Sequence, residues 1–203
     1  MTITRRTFVG AVTAAGLSAA APARAAEADV IFVRAPKGAR SGELSFAGRT
    51  YPCLVGKSGI VSPKFEDDGG TPAGRFHLRE VRFRKDKLSA APTTQLPCFP
   101  AAQSDGWCDD PSDPNYNKLV TLPYPNDCEK MWRDDGLYDL LAVIGYNDAP
   151  VVPGAGSAIF LHVRRAPDDP IQWTAGCVSI DLSNLAAVLA ACTPATQIDI
   201  RVT

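Results

Sequence analysis

The stretch from Phe160 to Asp181 holds one histidine and one cysteine, the two side chains that thiol-based acyl transfer needs. His162 lies in an alternating apolar run typical of a half-buried strand, and Cys177 follows a loop that two prolines interrupt. A thiolate attacks carbonyl carbon, and a nearby imidazolium lowers the pKa of a thiol from about 8.5 into the physiological range. The N–H of Gly176 can stabilise the resulting oxyanion. The pattern predicts Cys177 as nucleophile, His162 as its base and Gly176 as the oxyanion glycine.

A purely structural interpretation fits the same two residues. Cysteine in an apolar strand is often a small buried hydrophobe, and a strand histidine is often a satisfied core group. The chain has two histidines, and the other one, His77, occupies an ordinary strand position between Phe76 and Leu78. If Cys177 has a histidine partner, His162 is therefore the better candidate.

Apolar patterns along the chain predict many strands and one helix. Strands are expected at residues 30–34, 43–47 and 50–55 as a hairpin, 76–83, 137–145, 159–163 and 197–202. The apolar phase shifts between Leu78 and Val81, as a bulge would cause. Ser183 can cap a helix that Pro194 ends. The apolar face of that helix comprises Leu185, Val188, Leu189 and Cys192. The predicted fold class is α+β, mainly β.

A long region with little periodicity, residues 84–136, contains many of the prolines. Such a loop inside a compact domain is more often functional than idle, and it predicts a flap or substrate wall. A helical turn near residues 129–133 is the regular element expected there. Candidate contacts are Trp107, Tyr116, Asn117 and Trp132 from this region, with Tyr146 and Asn147 at the end of the following strand. The alternative is that the aromatic residues pack over the hydrophobic core and do not contact substrate.

The first 25 residues are typical of an export signal. Thr4 to Phe8 forms a twin-arginine pattern, the apolar run from Phe8 to Ala21 is too short to span a bilayer, and Ala23-Arg24-Ala25 offers a cleavage site. The sequence thus predicts a periplasmic protein exported by the twin-arginine route, without stable membrane insertion after cleavage. Residues 26–203 are expected to form one domain.

Net charge and cysteine spacing indicate which partners, metal sites and disulfides can be expected. Without residues 1–25 the chain keeps 18 basic and 22 acidic residues, a net charge of −4. Nucleic-acid binding is not expected, since it would need a basic stripe. No C-x-x-C pair occurs among the six cysteines, so no metal site is predicted. In an oxidising compartment some cysteines should pair, and a staple within the irregular region is favoured among Cys98, Cys108 and Cys128, with the pairing open.

Several segments together resemble the L,D-transpeptidase (YkuD) family. The family signature is a strand histidine, a spacer, and Ser/Thr-His-Gly-Cys followed by a hydrophobic residue and Arg or Asn. The matching residues here are His162, Thr174, Gly176, Cys177 and Val178. Ala175 and Ser179 depart from that pattern, which bears on substrate choice and rate more than on reaction class.

Other segments extend the resemblance over most of residues 26–203. Thr71 to Phe76 is similar to the Thr-Pro-x-Gly-x-Phe segment of the family, and Gly156 to His162 to its approach to the histidine. Gly106 to Pro111, with Tyr116-Asn117, resembles a Gram-negative branch that carries Ala-Gly-Cys or Glu-Gly-Cys.

The resemblance implies a β-sandwich-like catalytic fold with few helices and a flap-like loop region. It also implies a transpeptidase that forms a cysteinyl acyl-enzyme with a peptidoglycan stem peptide and passes it to an amine, with no cofactor. The expected substrate contacts are Thr174, Tyr146, Asn147 and Trp107. An L,D-carboxypeptidase or endopeptidase using the same Cys-His pair and an inactive envelope-binding module are the alternatives. The acceptor, the cross-link position and the oligomeric state stay open.

Overall fold

A computed structural model describes residues 29–203 and Met1, so the expected export signal, apart from Met1, lies outside the described residues. Their regular elements are β1 Val30–Ala35, β2 Ser41–Phe46, β3 Arg49–Leu54, β4 Ile60–Val61, β5 Thr71–Pro72, β6 Gly74–Phe83, β7 Cys98–Pro100, β8 Asp105–Cys108, β9 Leu119–Thr121, β10 Cys128–Lys130, β11 Leu140–Ile144, β12 Phe160–Val163, β13 Val178–Ile180, α1 Leu182–Ala191 and β14 Gln197–Val202. Over residues 29–203 the predicted mainly-β class with one helix is confirmed.

Nine strands form one mixed sheet that closes on itself. Their order is β11-β12-β13-β3-β2-β1-β14-β6-β7, and β6 also pairs with β11. Long β6 makes this closure, because its first half pairs with β14 and its second half with β11. The predicted bulge is confirmed here: the register shifts between the pairs Ala142–Val81 and Ile144–Leu78. A bulge bends a strand, which lets β6 pass from one part of the sheet to the other.

The strands that carry the candidate site lie together in this sheet. Strand β12 pairs antiparallel with β11 and parallel with β13, and His162 stands opposite Ser179 in the second pairing. Because side chains alternate along strands, Leu161, Val178 and Ile180 enter the main core while Phe160 and Cys177 join a second cluster. The site therefore lies on the face of the sheet opposite the main core.

The helix packs its apolar face into the main core as predicted. Leu185, Val188 and Leu189 are buried, and Cys192 follows the last turn. The expected cap at Ser183 is wrong, because α1 begins at Leu182 and Asp181 occupies the N-cap without a side-chain hydrogen bond. In the part of the chain described, no helix combines the length and apolarity needed to cross a membrane.

The irregular region is more ordered than its sequence indicates. Strand β8 is the centre of a three-stranded antiparallel sheet, with β10 on one side and β9 on the other. The helical turn expected near residues 129–133 is wrong, since Cys128–Lys130 forms β10. Pairing with β8, which is distant in sequence, supplies hydrogen bonds that local helix propensity cannot match.

Candidate active site

Cys177 and His162 line one cleft of about 290 Å³. Cys177 is 6% exposed and His162 is 5% exposed, so both line the cleft while almost completely shielded from solvent. Strand β12 holds the histidine, and the cysteine directly precedes β13. The backbone N–H of Phe160 donates to the Cys177 sulfur at 3.3 Å, which ties the nucleophile to the strand of its expected base. The structure thus brings together the two residues that the sequence singled out.

The imidazole of His162 is oriented by backbone. Its Nδ1 lies 2.7 Å from the carbonyl oxygen of Val163. A carbonyl oxygen can only accept, so Nδ1 carries the hydrogen and Nε2 is left as the acceptor. This is the tautomer that a general base requires.

Burial, more than charge, decides the protonation of both groups. It lowers the pKa of His162 to about 4, because the imidazolium would lose its hydration. Desolvation also raises the pKa of the Cys177 thiol to about 12, and the charge of Glu129 acts in the same direction. Both shifts disfavour the expected thiolate–imidazolium pair in the free protein and favour a neutral thiol beside a neutral imidazole.

The backbone around the nucleophile is held by two threonines. The hydroxyl of Thr174 donates to the Cys177 carbonyl oxygen at 2.6 Å, and that of Thr71 donates to the same oxygen at 3.1 Å. Thr174 also lines the cleft, and its N–H donates to the carbonyl oxygen of Val55. These contacts fix the direction of the Cys177 peptide before any substrate arrives.

Gly176 is required by close packing of backbone against backbone. A Cβ at this position would lie 3.0 Å from the carbonyl oxygen of Gly70 and 3.2 Å from the side chain of Ile159. A side chain at this position would require Gly70, just before β5, or Ile159 to move. The glycine therefore lets the loop that carries Cys177 lie flat against its neighbours.

One wall of the cleft is an unpredicted cluster around Tyr138. Its ring meets the ring of His162 edge-on, with centroids 5.3 Å apart. Its hydroxyl donates to a Glu129 carboxylate oxygen at 2.5 Å, and the guanidinium of Arg133 lies over the ring at 5.1 Å. Burial raises the pKa of Glu129. In the sequence these residues sit in or beside the irregular region without a motif, so only their contacts reveal them.

The other predicted contacts lie elsewhere. Trp107 and Tyr146 line a neighbouring cavity of about 260 Å³. Asn147 closes its own loop, since its amide donates to the carbonyl oxygens of Val152 and Gly156. Trp132 stacks under the guanidinium of Arg84 at 3.7 Å. Their roles in binding substrate stay predictions.

Asn117 is linked to the nucleophile through Ala158 and does not contact it directly. Its side-chain oxygen accepts from the Trp107 indole at 2.9 Å and from the Ala158 N–H at 3.1 Å. The carbonyl of Ala158 in turn accepts the hydrogen bond of the Cys177 thiol. Tyr116 is also buried, and its hydroxyl donates to Glu66. Both residues hold the loop before β12 in place.

Charges of both signs line the cleft. The acidic residues are Glu66, Asp67, Asp109 and Glu129, and the basic ones are Lys57, Lys64, Arg133 and Arg165. Lys64, Arg133 and Arg165 are paired with Asp68, Asp135 and Asp169. Lys57 lies 6.0 Å from the centre of the Trp173 ring. Among residues 29–203, no group of three or more histidine, cysteine, aspartate or glutamate side chains is placed to hold a metal ion.

Comparison with known proteins gives one family. The family model described as the L,D-transpeptidase catalytic domain, YkuD, matches residues 42–200. Among solved structures, L,D-transpeptidase 1 of Mycobacterium tuberculosis is similar at 13% identity and a TM-score of 0.36, over 86% of this chain and 63% of that one. The chain thus spans less than two thirds of that structure. No curated protein matches the chain.

Proposed function

Because the chain belongs to the YkuD family of L,D-transpeptidase catalytic domains, we propose that it is a peptidoglycan transpeptidase that cross-links stem peptides through a thioester on Cys177. One observation carries this proposal. A buried thiol and a buried imidazole in its basic tautomer share one cleft, and His162 Nδ1 is already engaged by the Val163 carbonyl. The periplasm is the proposed location, supported by the twin-arginine pattern at Arg5 and Arg6.

Acylation begins from the neutral pair. Nε2 of His162 takes the thiol proton as the sulfur of Cys177 attacks the carbonyl carbon of the donor peptide bond. The N–H groups of Gly176 and Cys177 are the proposed donors to the oxyanion, and the Gly176 N–H would exchange its 3.3 Å hydrogen bond to the Thr174 hydroxyl for one to the oxyanion. When the intermediate collapses, the C–N bond breaks and His162 returns the proton to the leaving amine. A thioester on Cys177 remains.

Transfer reverses these roles. The amine of a second stem attacks the thioester and gives its proton to His162, and the Cys177 sulfur leaves and recovers that proton. The burial of Cys177, which is 6% exposed, favours this outcome, because it limits the access of water that would otherwise hydrolyse the thioester. The mixture of acidic and basic side chains suits stem peptides, which carry both carboxylates and amines.

The test uses the purified full chain with two muropeptide monomers, followed by mass spectrometry. The parent should make dimers, and Cys177→Ala and His162→Ala should lose them. His77→Ala is the matched control: His77 is exposed, bonds to Gln197 and should leave dimer formation intact. Shortened monomers without dimers would replace the proposal with an L,D-carboxypeptidase or endopeptidase. No product in any sample, while folding is intact, would favour an inactive envelope-binding module.

A further inference from the structure

Two cysteines face each other across the β8–β10 pairing. Cys108 is the register partner of Cys128. The N–H of Asp109 donates to the carbonyl oxygen of Asp127 at 3.3 Å, one step beyond the pair. The N–H of Cys108 points the other way, towards Lys118 on the β9 side. Cys108 and Cys128 are thus a non-hydrogen-bonded antiparallel pair, in which Cα atoms lie about 4.5 Å apart. Disulfides span Cα separations of roughly 4.4–6.8 Å.

The two side chains also share a face of this small sheet. A Cβ placed on Gly106 would lie 3.3 Å from the Cys128 sulfur. Gly106 and Cys108 are two residues apart on β8, so they point to the same side. The sulfur of Cys128 therefore projects over the face that carries the Cys108 thiol. All six cysteines are present as thiols in the structure.

We propose that Cys108 and Cys128 form a disulfide that braces the wall of the cleft, by exchange with an external protein or small-molecule disulfide. Cys128 is partly exposed and Cys108 is buried, so the Cys128 thiolate makes the first attack. One half of the external disulfide leaves as a thiol, and the other half forms a mixed disulfide on Cys128. The Cys108 thiolate then attacks the Cys128 sulfur and expels that half. Two protein thiols are oxidised by two electrons, and the external disulfide is reduced to two thiols that take up the two protons.

The position of the link connects it to the site. Strand β8 carries Trp107, whose ring packs edge-on against Phe160 at 5.2 Å. Strand β10 carries Glu129, which accepts from Tyr138 beside His162. A covalent bond between the strands limits the separation of these contacts. Burial and the neighbouring charges of Asp109 and Asp127 raise the pKa of Cys128, so exchange should accelerate as pH rises above neutral.

The test follows the thiols directly and does not depend on any enzymatic activity. The purified full chain is incubated with oxidised glutathione near pH 8.5, where roughly half of ordinary thiols are ionised. It is then quenched in acid, alkylated in denaturant and mapped by mass spectrometry. A linked peptide pair containing Cys108 and Cys128 should appear in the parent and in the Cys98→Ser control, and should be absent from Cys108→Ser and Cys128→Ser. The melting temperature of the parent should rise by roughly 5–10 °C on oxidation.

Three results would overturn the proposal. They are full alkylation of all six cysteines after oxidation, a glutathione adduct on Cys128 that Cys108 never resolves, and a link to a different cysteine. Each can be read in the parent protein, so a serine variant that folds poorly would not obscure the answer. The assignment of linked cysteine peptides does not depend on turnover of muropeptides. A failure of the proposed function can therefore be told apart from a failure of this inference.

Discussion

The thiol of Cys177 donates its hydrogen bond to the carbonyl oxygen of Ala158, 3.3 Å away. Ala158 has a positive φ of 52°, an uncommon conformation for a residue with a side chain, and its N–H is held by Asn117. The loop before β12 therefore fixes both the acceptor of the resting thiol and the start of the strand that carries His162. Attack on a substrate requires the thiol proton to move from this acceptor towards Nε2.

The pH dependence of the alkylation of Cys177 by iodoacetamide should show that the pKa of its thiol is high. Burial raises that pKa to about 12, so the rate should keep rising through about pH 10 without a plateau near neutrality. Peptide mapping separates Cys177 from the other five thiols. A plateau between about pH 6 and 8 would instead indicate a preformed thiolate–imidazolium pair.

Glu129→Gln should make the Cys177 thiol more reactive. After burial, the Glu129 carboxylate is the next contribution that raises the thiol pKa, and the amide removes that charge while still accepting from Tyr138. Alkylation at pH 8 should be roughly two- to fivefold faster, as a charge interaction of about 0.4–1 kcal/mol gives. Glu43→Gln removes a charge from the exposed side of β2 and should change nothing. An unchanged rate in Glu129→Gln would contradict this account.

The acid stability of the protein should depend on His162. Its pKa is about 4 in the folded state and about 6.5 when unfolded, so the unfolded state binds more protons between these values. The histidine contribution is therefore complete above pH 6.5 and declines as pH falls towards 4, by about 3 kcal/mol. Urea unfolding at several pH values would measure this loss. Glu129, whose pKa is raised, changes the stability in the opposite direction. Comparison with His162→Gln therefore isolates the contribution of the histidine to the free energy of unfolding. The same dependence of that free energy on pH in both proteins would contradict the prediction.

Gly176→Ala should impair turnover more than stability. The new methyl group would meet the Gly70 carbonyl oxygen at 3.0 Å and displace the loop that carries Cys177. A loss of about 10–100-fold in kcat/KM is expected, because small displacements of reacting groups are costly. Gly48→Ala is the control: its Cβ would meet no atom within 4 Å, although its φ of 76° costs about 1 kcal/mol of stability. Wild-type kinetics in Gly176→Ala would show that the contact with Gly70 is dispensable.

Asp199→Asn should destabilise the fold without touching the cleft. Asp199 is fully buried and pairs with Arg34, Arg75 and Arg201. Burial opposes its ionisation, but the hydrogen bonds from Arg75 and Arg201 outweigh it and lower the pKa. Loss of the carboxylate should reduce the free energy of unfolding by about 2–4 kcal/mol. Asp148→Asn breaks an exposed pair with Arg79 and should cost less than about 1 kcal/mol. Similar losses in both variants, measured by urea unfolding, would contradict the difference.

Local patterns in the sequence determined a large part of the architecture. The hairpin of β2 and β3 turns at Ala47-Gly48, where both residues have positive φ, a turn that glycine favours. The strands β12 and β14 and the apolar face of α1 were readable, because apolar residues recur at the period of each element, but β12 is buried on both faces and not half-buried as predicted. The pairing of Cys177 with His162 in one cleft also followed from residue type and from the strand–loop–strand order.

Tertiary structure alone decided what surrounds that pair. Only the folded chain shows that Trp107 and Tyr116 are buried, and Tyr138 and Glu129 reach the site through the folding of distant segments. The protonation of Cys177 could not be predicted from its neighbours in sequence, since desolvation depends on what covers the sulfur in three dimensions. The same holds for Cys108 and Cys128: the sequence named three candidates for a staple, and only the register of β8 against β10 placed two of them opposite each other.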